Sequence, residues 1–287
     1  MPTLPTFIIP GAAKAGTTTL HYCLSQHPEI LMSKAKEPNV FEYRKENRID
    51  LKPYDSMFDD YSGEKAIGEA SVNYMVKPES VGAIYEHIPD VKLIFSLRDP
   101  VKRAVSHYWH RINAGMISES LEEVISKGRE AFPIYYGLYS THIRRFLQFF
   151  PRENIFINIL EEMNRNWDES FMRIFRFIGV DDSFKVVRGE KRNSASRRRS
   201  LAFHRSVEIM RRGHGYKRYI FRPIRETGKK LSEKMLEWNL KPFQTPPTDP
   251  DIERRLAEFF IPEIEGLEEL MGRQITAWTT RQVLRTS

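Results

Sequence analysis

The chain has 287 residues, with 45 Lys and Arg against 38 Asp and Glu, for a formal charge of +7. Its 40% hydrophobic and 12% aromatic content is too rich for a disordered polymer, no apolar run approaches the ~20 residues of a membrane span, and the single Cys23 excludes an intrachain disulfide framework or a multi-cysteine metal site. The positive excess points to an anionic ligand or surface without naming one, and a start without a signal-like apolar stretch predicts a cytoplasmic protein.

The first apolar run, Leu4 to Pro10, has the length of a buried strand. It enters Gly11-Ala12-Ala13-Lys14-Ala15-Gly16-Thr17-Thr18-Thr19-Leu20. Small residues let a backbone approach an anion closely, and a helix starting near Thr17 aims its free N–H groups into the loop. Lys14 adds a point charge, and Thr17 and Thr18 add hydroxyl donors. The loop is not the nucleotide-triphosphate form, because its lysine precedes the second glycine. No acidic residue clearly closes an apolar strand to hold magnesium, which counts against a metal-dependent kinase or ATPase. Asp99 does end such a strand, but it follows Arg98, which would compete with a metal for its carboxylate.

Lys34 and Lys36 precede Glu37 in the next loop. A second buried strand is expected over Val91 to Leu97, ending in Arg98-Asp99-Pro100, and a helix follows that carries Arg103, Ser106, His107 and His110. Arg98 at a strand end offers a planar fork suited to a phosphate dianion. Ser106 falls about two turns into the helix. Arg103 is read as a structural partner of Asp99, and the two histidines as packing or surface residues.

Farther on, Leu138, Ile143, Phe146, Leu147 and Phe150 share a helical stripe ended by Pro151. Asn154 to Leu160 reads as a third strand. Trp167, Phe171, Ile174, Phe175 and Ile178 form a second stripe stopped by Gly179, and Ile252 to Leu270 a third, with Thr248 or Asp249 as cap and Pro250 in its first turn. Strands alternating with helices predict an α/β fold: one domain over 1–287 with a P-loop-like central parallel sheet flanked by helices. Positions 197–234 hold 13 Lys and Arg against three Glu, so this stretch alone carries +10 and the rest of the chain −3. It is expected to lie in a basic helical segment, 197–245, serving as a lid or as a docking element for the acceptor or an anionic membrane. A nucleic-acid partner is not favoured.

Lys-x-Gly-Thr-Thr after a first strand, taken with Leu97-Arg98-Asp99-Pro100 and the downstream Ser106, resembles the two phosphate-binding motifs of sulfotransferases that use 3′-phosphoadenylyl sulfate (PAPS). Lys36-Glu37-Pro38-Asn39-Val40-Phe41, Gly68-Glu69-Ala70-Ser71-Val72-Asn73-Tyr74, Gly137-Leu138-Tyr139 and the closing Leu267 to Trp278 are similar to further stretches of the bacterial and glycan-directed branch. The resemblance implies PAPS as donor, PAP as product and no required metal. It implies transfer to a hydroxyl of a glycan, lipid or small metabolite.

The implied donor site is Ala13, Lys14, Ala15, Gly16, Thr17, Thr18, Arg98 and Ser106, with Arg197, Arg198 and Arg199 in a late basic loop. Glu37 is the implied general base and Lys14 the cation on the leaving-group side. Two positions depart from the pattern: Asn39-Val40 replaces His-Phe, and Ala70 stands where glycan-directed members carry lysine. A P-loop phosphotransferase and a non-catalytic binder of anionic surfaces remain the alternatives.

Overall fold

A computed structural model of the chain describes residues 3–42, 44–45, 48–189, 196–198, 200, 203, 206–207, 231–232, 234–235 and 238–284. The chain divides into two compact units. One comprises Met1–His107, Leu121–Arg192 and Thr248–Ser287, the other Tyr108–Ser120 and Asn193–Pro247.

The larger unit is built on a five-stranded sheet of β1 (Phe7–Gly11), β2 (Ile30–Met32), β5 (Ala66–Ala70), β6 (Lys92–Leu97) and β7 (Ile155–Ile159), in the order β2-β5-β1-β6-β7. Every pairing is parallel. The three expected strands are β1, β6 and β7, and β2 and β5 add to them. A short antiparallel ribbon, β3 (Arg44–Lys45) and β4 (Arg48–Ile49), lies between β2 and β5 in the chain.

Both faces of the sheet are covered, which is why its strands read as continuous apolar runs. Ile8, Leu93, Phe95 and Leu97 face one core with residues of the helices Pro78–His87, Tyr139–Phe146 and Pro250–Met271. Phe7, Ile9 and Ile94 face the other with residues of Thr17–Leu24 and Trp167–Ile178. The predicted punctuation is present. Gly179 ends its helix at φ 98°, and Asp249 caps the last long helix by accepting from the amide of Asp251, with Pro250 in the first turn.

The end of β1 is irregular. Ile8 is level with Leu93 on β6, but Gly11 is level with Phe95, so β1 carries one extra residue there. Pro10 lies inside that step and has no N–H to give to the ladder, so a bulge is the arrangement it tolerates.

In the smaller unit, β8 (Ser196–Arg198) pairs antiparallel with β9 (Leu240–Pro242). The segment expected to be helical over 197–245 therefore begins with, and includes near its end, extended chain. Residues 206–207, 231–232 and 234–235 between the strands are helical. The ladder gives the two ends backbone partners in each other, and Asn239 reinforces it by bonding both the amide and the carbonyl of Ser200, at 2.9 and 2.8 Å.

Candidate active site

The order of the sheet puts a switch point at β1. The chain leaves β1 toward β2 and β5 on one side, then returns to add β6 and β7 on the other. Ligands of open α/β sheets bind at the carboxyl ends of strands at such a point. The segments leaving β1 and β6 there are the two that carry the phosphate-type motifs.

The loop from Ala12 to Gly16 is tied to β6. The amide of Ala12 donates to the carbonyl of Ser96 at 2.8 Å, and the Ser96 hydroxyl donates to the carbonyl of Ala15 at 2.7 Å. Lys14 is held at φ 67° and Gly16 at φ 80°, both in the left-handed region. At Gly16 a Cβ would lie 2.6 Å from a methyl carbon of Leu160, so both space and conformation favour glycine. Gly16 opens the helix Thr17–Leu24 without a side-chain cap or an acidic residue in the first turn. The amides of Ala13, Lys14, Gly16, Thr17 and Thr18 have no acceptor among the described residues. A row of free N–H groups at a helix start is a cradle for an anion.

Two cations, Lys14 and Arg98, belong to this loop and its neighbour. Lys14 is half-buried, and its ammonium titrates below the usual lysine range because burial removes it from water. Arg98 and Lys36 repel the charged form further, while Glu37 favours it. Arg98 lies against the loop, with Nη1 3.4 Å from the Lys14 carbonyl, and its own carbonyl accepts from the Tyr139 hydroxyl at 2.9 Å. Among the described residues neither Lys14 nor Arg98 makes an ion pair. Ser106 is half-buried on the helix Pro100–Asn113, and its hydroxyl has no partner among the described residues.

Glu37 belongs to the same neighbourhood. Its amide donates to the carbonyl of Ala70 at the end of β5, and its backbone sits at φ 62°. Lys36 donates to Glu37 Oε1 at 2.5 Å. Lys34, the other expected neighbour, instead pairs with Asp59 and Asp60. The loop continues through Asn39, at φ 52°, whose amide donates to Ser71 Oγ, and Phe41, whose amide donates to the Tyr74 hydroxyl.

Behind that loop lies Glu69, fully buried near the end of β5. Tyr54 donates to its Oε1 at 2.8 Å and Ser71 to its Oε2 at 3.0 Å. Burial pushes its carboxyl up to about 7, against the opposing hydroxyl bonds. The tyrosine hydroxyls of Tyr54 and Tyr74 are pushed above their ordinary range by the same desolvation. A glutamate inside Ala66-Ile67-Gly68-Glu69-Ala70 is the signal in the sequence that could have marked this network.

Two expectations are corrected. Asp99 does not pair with the Arg98 or the Arg103 side chain. Its carboxylate accepts from the backbone amide of Lys102 and from Thr279 and Thr280. Arg103 is fully buried, which disfavours its charged form, and it turns to the carbonyl of Pro133 and to His107 Nδ1. His107 is buried between the rings of Phe132 and Tyr136, whereas His110 is exposed. The late arginines are not placed by these observations. Arg197 and Arg198 have described backbone in β8 but no described side chain, and Arg199 lies outside the described residues.

Comparison with known proteins adds a family to this geometry. A sulfotransferase-domain family model matches residues 4–226. A crystal structure of a sulfotransferase from Alicyclobacillus acidocaldarius is similar over 96% of this chain and 99% of that one, with a TM-score of 0.68 and 27% identity. Among curated proteins, the heparan sulfate glucosamine 3-O-sulfotransferase 3B1 of Homo sapiens is 30% identical over 167 residues, covering 54% of this chain and 41% of that protein. The bifunctional heparan sulfate N-deacetylase/N-sulfotransferase 2 of Bos taurus is 29% identical over 211 residues, covering 64% of this chain and 23% of its own length. The chain thus spans well under half of the curated relatives it matches. The family match extends over most of the sequence and includes both phosphate-type motifs, so the chain belongs to the sulfotransferase-domain family.

Proposed function

We propose that the chain transfers the sulfonyl group of PAPS to an acceptor hydroxyl, with Glu37 as general base, and releases PAP. The observation that carries this reading is the meeting of Lys14 and Arg98, without ion-pair partners among the described residues, at an uncapped helix start beside Glu37. When bound, PAPS supplies an activated sulfonyl group on a phosphate leaving group.

The amides of Ala13, Lys14, Ala15, Gly16, Thr17 and Thr18 form the cradle for the 5′-phosphosulfate, although that of Ala15 is already spent on the Ala12 carbonyl. Thr17 and Thr18 add hydroxyls. Lys14 neutralises the charge left on the departing phosphate. Its present repulsion by Arg98 and Lys36 is relieved when an anion sits among them, so the site is charged in advance for that state. Arg98 and Ser106 hold the 3′-phosphate. Glu37 takes the acceptor's hydroxyl proton on a carboxylate oxygen, and Lys36, 2.5 Å away, orients it.

The activity named for the human relative, 3-O-sulfation of heparan sulfate glucosamine, supports a hydroxyl acceptor and makes a carbohydrate the first class to test. Against a glycosaminoglycan stands the buried Ala70, where glycan-directed members carry a lysine. The test is Glu37→Gln. It is expected to bind PAPS as wild type does while transfer to acceptors in a cell extract, read by mass spectrometry, drops by about a hundredfold or more. Turnover at the wild-type rate would remove Glu37 as base.

A further inference from the structure

The Arg98–Asp99 turn is clasped by residues almost two hundred positions away, beyond the 4–226 stretch that the family model matches. Asp99 Oδ2 accepts from the amide of Thr279 at 2.8 Å, its hydroxyl at 3.3 Å and the amide of Thr280 at 3.0 Å. Oδ1 accepts from the Thr280 hydroxyl at 2.9 Å and the Lys102 amide at 3.1 Å. Glu161, just past β7, is engaged in the same way. Its Oε1 accepts from the Asp99 amide at 3.1 Å and its Oε2 from Trp278 Nε1 at 2.9 Å. The Trp278 ring lies 5.9 Å from that of Tyr139, whose hydroxyl donates to the Arg98 carbonyl.

The consequence is electrostatic. A carboxylate with free lone pairs next to a guanidinium pairs with it and competes with any phosphate. Here every oxygen of the two carboxylates bonded to the turn accepts from a hydroxyl, amide or indole donor, and Arg98 makes no ion pair among the described residues. The donors are neutral, so they fix the carboxylates without adding a competing cation.

We propose that Trp278, Thr279 and Thr280 are positioning residues of the nucleotide site. By occupying Asp99 and Glu161 they keep the Arg98 guanidinium open to the nucleotide's 3′-phosphate, and through Tyr139 they fix its backbone. This rests on the reading of Arg98 as the 3′-phosphate ligand.

Two probes separate the proposal from that reading: adenosine 3′,5′-bisphosphate (PAP) and adenosine 5′-monophosphate, which lacks the 3′-phosphate. Their affinities are measured by calorimetry on the full chain. Wild type is expected to prefer PAP, and Arg98→Ala to lose that preference. Thr280→Val, which keeps the shape and removes the hydroxyl, is expected to weaken PAP about five- to tenfold and leave the monophosphate within twofold, while Thr280→Ser binds like wild type. Trp278→Phe, which frees Glu161 Oε2, is expected to act in the same direction and stands in if Thr280→Val does not fold. Equal weakening of both nucleotides would show general disruption and overturn the proposal. Unchanged PAP affinity in Thr280→Val and Trp278→Phe, with preference lost in Arg98→Ala, would overturn the proposal alone. Preference retained in Arg98→Ala would overturn the reading beneath it.

Discussion

Glu69 offers a measurable link between burial and pH. It is fully buried, with hydroxyl donors from Tyr54, Ser71 and Tyr74, and burial raises its carboxyl from 4.5 to about 7. A shift of that size corresponds to about 3 kcal/mol between the two protonation states. The folded value lies above the unfolded one, so the folded protein binds the proton more tightly than the unfolded chain. The stabilisation is fully present below about pH 4.5 and is lost as pH rises through about 7. Glu69→Gln removes the titration, and the hydroxyls can turn to meet an amide. Urea unfolding of both proteins from pH 5 to 8 isolates the effect, because other titrating groups cancel in the difference. Wild type is expected to lose about 2–3 kcal/mol relative to Glu69→Gln between pH 5 and 8. Stability curves that stay parallel across this range would refute the argument that a neutral, desolvated carboxyl lies behind the Glu37 loop.

Nucleotide binding should take up protons at alkaline pH, because burial first, and then repulsion by Arg98 and Lys36, depress the Lys14 ammonium, and an anion placed beside it favours the charged form. Calorimetry in buffers of different ionisation heat reads this uptake, and affinity should fall as pH rises through the depressed Lys14 value. Glu37 sits at φ 62°, so Glu37→Gly should be more stable than Glu37→Ala by about 1 kcal/mol, the reverse of the order at an ordinary position. Thermal melts of the two variants decide it.

The sequence is most legible where one physical signal dominates. β1, β6 and β7 stand out because strands covered on both faces are unbroken apolar runs. β2 has only three residues, and β5 carries Gly68 and Glu69, so neither shows such a run. The anion loop is readable because Lys14, Gly16 and the threonines are contiguous, and local spacing is enough to describe a helix start. Glu37 is reached through resemblance alone. Nothing local shows that Lys34 leaves for Asp59 and Asp60 while Lys36 stays. Asp99 misleads because the arginines before and after it in sequence, Arg98 and Arg103, look like its partners, whereas its carboxylate is held by Thr279 and Thr280 from the far end of the chain.

Lys14 and Arg98 are expected to form one site for an anionic sulfonyl donor. Equilibrium binding of radiolabelled PAPS to wild type, Lys14→Ala and Arg98→Ala tests this most directly. Removing a charge-assisted hydrogen-bond donor from such a site is expected to weaken binding by about ten- to a hundredfold in each variant. Wild-type affinity in both variants would contradict the account.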